Sequence, residues 1–244
     1  MTGVDLHMHS TCSDGTLSPT DLMRACAAAG LRTVALTDHD AVTGLAEAQS
    51  ACESLGVSLV PGVELSAETG GRKVHILGYF IPTHDPILDA RLGEFRRERD
   101  ARADHILRLL EESQGIALTR ADVEAHAGPG GVLGRPHIAR ALVAGGHAQD
   151  MREAFDRYLS EGRPAYARRP SPSGAEQIAI LRERGGVAVL AHPALIRNDA
   201  VVDDLIDAGL QGIECFTPCH TADETERYVA LARRHGLIAT GGSD

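Results

Sequence analysis

Val4-Asp5-Leu6-His7-Met8-His9 is a short apolar run that breaks into two histidines, and the same punctuation recurs along the chain. Thr33-Val34-Ala35-Leu36-Thr37 leads into Asp38-His39-Asp40, and Leu59-Val60-Pro61-Gly62-Val63 leads into Glu64. Val187-Ala188-Val189-Leu190-Ala191 ends at His192-Pro193, and Leu237-Ile238-Ala239-Thr240 at Gly241-Gly242-Ser243-Asp244. His75 sits inside a further apolar run, Lys73-Val74-His75-Ile76-Leu77. Such runs read as buried strands, and in α/β barrels functional side chains gather where strands end. Metal-ligand residue types repeated at that position predict a multi-metal active site at one end of a barrel.

The intervening sequence supports that architecture. Residues 1–80 read as strand–helix–strand–helix–strand–strand, with helices over 22–29 and 41–55 stopped by Gly30 and Gly56. Ser18-Pro19-Thr20-Asp21 is a helix start with proline just inside it. Alternation of this kind implies parallel pairing through right-handed crossovers. The alternation resumes near 174, with helices expected over 174–184, 201–208 and 223–235 and strands over 187–191, 212–216 and 237–240. Between the two halves the pattern is helical throughout, over 89–112, from Thr119, over 137–144 and over 149–159. The expected fold is therefore α/β, with 1–85 plus 166–244 as the barrel and 86–165 as an all-helical insertion.

Composition narrows the possibilities. A chain of 244 residues suits one such barrel, and no apolar run reaches the ~18 residues of a membrane helix. No basic, then apolar, leader opens the sequence, so the expectation is a cytoplasmic enzyme with no membrane association and no stable protein partner. The five cysteines are odd in number and irregularly spaced, which argues against a disulfide framework. Cys26 and Cys52 are expected to pack in helices and Cys215 to end a strand. A zinc site at Cys215, Cys219 and His220 is disfavoured, because no second pair has matching spacing. The net charge of −10 is uneven: residues 86–170 carry 14 Arg against 13 acidic residues, whereas the remainder is strongly acidic. An anionic substrate would therefore have to meet the metals or those arginines.

His7 and His9 are two apart, so on a strand both face the same way, about 7 Å apart along the strand. Two imidazoles on one face can ligate one cation, and Asp14, His39, Glu64, His75 and His192 occupy matching places. Mixed histidine and carboxylate donors suit Zn, Mn or Fe without selecting one. Glu64, with two oxygens, can bridge two cations ~3.5–4 Å apart.

Taken together, His7-Met8-His9-Ser10 with Ser13-Asp14-Gly15, Thr37-Asp38-His39-Asp40, Gly62-Val63-Glu64, His75-Ile76-Leu77-Gly78, Ala191-His192-Pro193 and Gly242-Ser243-Asp244 resemble the motifs of the PHP (polymerase and histidinol phosphatase) family. The resemblance spans nearly the whole chain and implies a distorted (β/α)7 barrel with two to three divalent metal ions. It implies that His7, His9, Glu64 and Asp244 hold one cation, Glu64, His75 and His192 a second, and Asp14 and His39 a third. The family completes the third set with a histidine two residues after its last Asp. Here the sequence stops at Asp244, and the expectation is that it is cut short there.

Gly134-Arg135-Pro136-His137 and Pro164-Ala165-Tyr166 resemble a branch of that family containing 3′,5′-nucleoside bisphosphate phosphatases and the 5′→3′ exoribonucleases called RNase AM. In that branch the helical insertion lies over the metal site and helps bind substrate. This makes Arg135 and His137 candidate substrate-binding residues, since a guanidinium fork matches phosphate oxygens. Arg168 and Arg169 are weaker candidates, and Tyr166 could stack on one base. Asp38 or Asp40 could orient the His39 imidazole, although Asp40 reads more simply as a helix N-cap. His84, His105, His126, His147, His220 and His235 lack strand-end placement and read as surface residues. The implied activity is a metal-dependent phosphoesterase acting on a small nucleotide, such as a 3′,5′-bisphosphate, or on the 5′ end of a short RNA. Its nucleophile would be a water shared by two cations, with the pKa lowered to near ~7, and no protein acid is evident. The rival readings are an amidohydrolase-type C–N hydrolase and a non-catalytic metal-binding module.

Overall fold

The computed structural model describes residues 3–83, 85–128, 131–168 and 171–244, so His84 and Arg169 lie outside the described residues. Seven strands form one sheet in chain order. They are β1 (Gly3–Asp5), β2 (Leu31–Leu36), β3 (Ser58–Thr69), β4 (Arg72–Tyr79), β5 (Val187–Leu190), β6 (Gly212–Phe216) and β7 (Ile238–Gly241). α1 (Pro19–Ala28) and α2 (Leu45–Leu55) link the first three strands. Between β4 and β5 come α3 (Pro86–Gln114), α4 (Arg120–Glu124), α5 (Arg135–Ala144) and α6 (Met151–Ala154), then a π-helical turn at Phe155–Leu159 and α7 (Gly174–Glu183). α8 (Asp199–Asp207) and α9 (Ala222–His235) precede β6 and β7.

The helix starts follow from local chemistry. Ser18 accepts a hydrogen bond from the Asp21 amide with Pro19 in the first turn of α1, and Asp85 accepts from the Ile87 and Leu88 amides at the start of α3. Reciprocal capping boxes open α4 (Thr119 with Asp122), α7 (Ser173 with Glu176) and α9 (Thr221 with Glu224). The largest shift of a helix start from the sequence expectation is at α2. α2 begins at Leu45, not at 41, and Asp40 is not its cap. Asp40 has φ +49°, its amide bonds the Glu64 carbonyl and the Ala41 amide reaches Asp38, so the stretch after His39 is tied to β3 before a helix can form. The expected helix over 149–159 is also interrupted, its second half winding as a π turn.

Parallel pairing holds for β1–β2, β2–β3, β5–β6 and β6–β7. It fails at β4, which is antiparallel to both neighbours. The cause is the Gly70-Gly71 connection, two glycines with φ +56° and +71°, which closes a tight hairpin and leaves no length for a crossover helix. The two outer strands are drawn together at their ends, where Leu6 N–H donates to Gly241 O (3.1 Å) and Asp244 N–H to His7 O (2.8 Å). This seam joins the first and last strand-end motifs.

Two main apolar clusters hold the chain. One lies between the sheet and its flanking helices and includes Leu36, Leu65, Ile76, Leu181, Leu190 and Ile213. The other belongs to the helical segment and includes Ile106, Leu110, Ile138, Leu142 and Leu159. α3 takes part in both, with Leu88, Leu92 and Phe95 in the first and Ala103, Ile106 and Leu110 in the second. Cys26, Cys52 and Cys215 are buried in α1, α2 and β6, while Cys219 is exposed. No described helix is long and apolar enough to cross a membrane.

Candidate metal centre

Glu64 stands inside β3, fully buried, in register opposite Leu77 of β4. A lone carboxylate there would be strongly disfavoured, yet five imidazoles and a second carboxylate gather around it. Its Oε2 lies 3.3 Å from His7 Nε2, 3.2 Å from His9 Nε2 and 3.1 Å from His39 Nδ1. Its Oε1 lies 2.9 Å from His75 Nδ1 and 3.1 Å from His192 Nε2. Asp244 Oδ1 approaches His7 Nε2 at 3.5 Å and His9 Nε2 at 3.2 Å. His7 and His9 follow β1, His39 follows β2, His75 lies within β4, His192 follows β5 and Asp244 follows β7, so a single carboxylate ties these five strands to β3.

The spacing of these atoms fits cation binding. Four donors about 2.0–2.1 Å from one cation, tetrahedrally arranged, are about 3.3–3.4 Å apart. Among His7 Nε2, His9 Nε2, Glu64 Oε2 and Asp244 Oδ1, the two imidazoles lie 3.2 Å apart and each lies 3.2 to 3.5 Å from both carboxylates. A second set, Glu64 Oε1, His75 Nδ1 and His192 Nε2, is as tight at 2.9, 3.1 and 3.2 Å. A third is looser: Asp14 lies 3.8 Å from His9 Nδ1 and 3.9 Å from His39 Nε2. Despite its three close nitrogens, Glu64 Oε2 has no aligned hydrogen bond, and neither does His39 Nδ1. Buried atoms that face one another without a shared proton are what a ligand cage requires. All eight sequence candidates therefore meet at one place, and no cysteine joins any such group among the described residues.

Electrostatics sort the donors. Burial disfavours a charged His7, but Glu64 and Glu214 outweigh it and hold its pKa up to about 10. At Asp244 burial acts upward, and His9 and His7 overcome it, holding the carboxyl down to about 2. At His39 burial prevails over Glu64 and Asp14 and pushes the imidazole down to about 4, leaving it neutral and ready to ligate. Burial likewise opposes ionisation of Glu64, yet the surrounding histidines, His39 foremost, hold it well below the carboxylate range.

Supporting groups fix the ligands. Asp38 does not touch His39. It accepts from Ser10 N–H (2.7 Å), Ser10 Oγ (2.7 Å) and Ser13 Oγ (2.6 Å), and so folds the loop that carries His9 and Asp14. Asp40 accepts from Ser66 N–H (2.9 Å) and Ser66 Oγ (3.0 Å) and pairs with Arg99 Nε at 2.8 Å. Glu214, unremarked in the sequence reading, is fully buried. Its Oε1 lies 3.1 Å from His7 Nδ1 and its Oε2 accepts the His192 amide at 2.8 Å. A proton on His7 Nδ1 leaves Nε2 free to ligate. The available signal was a lone carboxylate in an apolar strand, near a strand end like the others.

Facing the cage is a cationic wall. Lys73, Arg99, Arg102 and Arg135 line one cleft together with Asp14, His39 and His75. Lys73 was also missed, although it stands two residues before His75 on β4 and so shares its face. Arg135 donates to Leu159 O (3.3 Å), sits 5.6 Å over the Phe155 ring, and has other donors to offer. Burial lowers the Arg135 pKa. His137 is fully buried; its Nδ1 accepts the Gly134 amide at 3.0 Å, its Nε2 has no hydrogen-bond partner, and it does not line the cleft. Tyr166 accepts from Lys73 Nζ at 2.8 Å. Arg168 is exposed and pairs with Glu68. Of the remaining histidines, His105 and His235 are exposed, and His126, His147 and His220 are half-buried away from the cage.

A PHP domain model matches residues 5–164. The chain is 38% identical to a 3′,5′-nucleoside bisphosphate phosphatase of Chromobacterium violaceum, over all of this chain and 87% of that one. It is 33% identical to a 5′-3′ exoribonuclease of Haemophilus influenzae, over 98% of this chain and 88% of the other. Among solved structures, one described as an amidohydrolase from Chromobacterium violaceum with bound SO4 superimposes with a TM-score of 0.92 at 38% identity, over 99% of this chain and 86% of that chain.

Proposed function

The chain belongs to the PHP domain family, and on that premise we propose that it is a metal-dependent phosphoesterase acting on small nucleotides or RNA 5′ ends. The observation that carries this reading is the pairing of a Glu64-centred ligand cage with Lys73, Arg99, Arg102 and Arg135 in one cleft. His7, His9, Glu64 and Asp244 would hold one divalent cation, Glu64, His75 and His192 a second, and Asp14 with His39 a third. When bound, such cations polarise phosphoryl oxygens and lower the pKa of a shared water towards ~7. The protein's own part is positional. Glu64 keeps the two tight sets side by side, Glu214 directs His7, and Arg135 and Lys73 offer fixed donors to phosphoryl oxygens. We read residues 86–165 as the segment that brings Arg99, Arg102 and Arg135 over the barrel's ligand end, with Tyr166 beside Lys73 at the margin. The same cationic wall favours an anionic phosphate ester over a neutral amide, which brings no charge of its own for it to meet.

Parallel assays test the proposal. Phosphate release from a nucleoside 3′,5′-bisphosphate, nucleotide release from a 5′-phosphorylated oligoribonucleotide and hydrolysis of an amide would be compared with Mn²⁺ present. Turnover of a phosphate ester is expected, with Arg135→Ala raising KM by on the order of tenfold or more, as for loss of one charge-assisted hydrogen bond. Turnover confined to the amide would contradict it.

A further inference from the structure

The loosest donor set, His9 with Asp14 and His39, is held differently from the other two. His7 and His192 are steadied by Glu214 of the sheet. The Asp14 loop, folded from within by Asp38, is in addition pinned from outside, by the helical segment. Gly128 N–H donates to Thr11 O and Val132 N–H to Cys12 O, both at 3.1 Å. The contact is so close that a Cβ on Gly128 or Gly131 would stand 2.5 or 2.6 Å from Thr11 O. Beyond them, Arg140 of α5 donates from Nη2 to Asp14 O at 2.7 Å. His39 is reached from the other side. Arg99 of α3 pairs with Asp40, the next residue, at 2.8 Å and donates to Ser66 Oγ at 3.0 Å. Asp40 is buried at φ +49°, a conformation that costs free energy unless its surroundings enforce it.

We propose that Arg140 and Arg99 are positioning residues through which the helical segment sets the third cation position by fixing Asp14 and His39. The inference rests on the metal reading above and extends it: two cation positions are built by the sheet, and the third depends on the helical segment as well. Arg140 is the cleaner probe, because it does not line the substrate cleft.

The test compares the wild-type chain with Arg140→Met and Arg140→Lys, each stripped with chelator and titrated with Mn²⁺, alongside amide hydrogen exchange over residues 11–15. In Arg140→Met the weakest-bound Mn²⁺ should bind on the order of tenfold more weakly, as for loss of an outer partner. The tighter sites should be unchanged, exchange over 11–15 should rise, and Arg140→Lys, which keeps a donor, should recover part of both. Arg99→Lys should shift the same Mn²⁺ in the same direction. Titrations and exchange that superimpose on wild type would overturn the inference, as would a uniform weakening of every Mn²⁺. If wild-type protein binds no Mn²⁺ at all, the metal reading itself fails and this inference falls with it.

Discussion

Glu214 shows how much one unnoticed side chain can contribute. Its two oxygens serve ligands from two strands, His7 through Nδ1 and His192 through the backbone amide. Glu214→Ala removes both contacts at once. It should weaken metal affinity by about 10–100-fold, the usual effect of losing a group that orients a ligand. Competition with a fluorescent chelator would measure this, and an unchanged affinity would remove Glu214 from the account. His7 supports a second prediction. In the metal-free fold its pKa is raised to about 10, so at pH 8 the ring is protonated, whereas a ligating Nε2 must be free of its proton. Cation uptake at pH 8 should therefore release protons, and the contribution from His7 should fade as pH rises through about 10. Calorimetric titrations in two buffers of different ionisation enthalpy report it directly. Enthalpies that match in both buffers would count against a protonated His7.

Among the elements, α3 joins the two halves of the molecule, since it contributes to both apolar clusters and carries Arg99 and Arg102. Phe95 is its largest anchor on the barrel side, 1% exposed. Phe95→Ala should cost about 3–5 kcal/mol of stability, measured by urea unfolding of chelator-stripped protein; a loss under about 1 kcal/mol would mean that α3 is not docked as described. β4 marks where the parallel pairing implied by helix–strand alternation stops. Helix–strand alternation is a statement about crossovers, and the Gly70-Gly71 hairpin replaces the crossover with a turn, so β4 runs against its neighbours. The reversal still delivers His75 and Lys73 to the cage and the cleft.

For the whole molecule, the sequence was legible where chemistry and strand periodicity coincide. Every proposed ligand but Asp14 follows or lies within an apolar run, and those ligands meet at Glu64, with Asp14 reached through His9 and His39. Seven strands in order could be read for the same reason. Less legible was whatever depends on contacts between distant segments. Asp38 and Asp40 looked like partners of His39 or a helix cap, but they brace neighbouring loops through Ser10, Ser13, Ser66 and Arg99. Arg140 gave no signal, because its partner is a backbone carbonyl 126 residues away. His137 was read as facing substrate, and its ring instead caps the start of α5, out of the cleft. The central claim is that Glu64 organises cations for phosphoester hydrolysis. The most direct measurement is phosphate release from a nucleoside 3′,5′-bisphosphate by chelator-stripped wild-type and Glu64→Gln protein, before and after adding Mn²⁺. No release is expected without Mn²⁺, with recovery in the wild type and none in the variant. Full activity in stripped protein, or full recovery in Glu64→Gln, would contradict the claim.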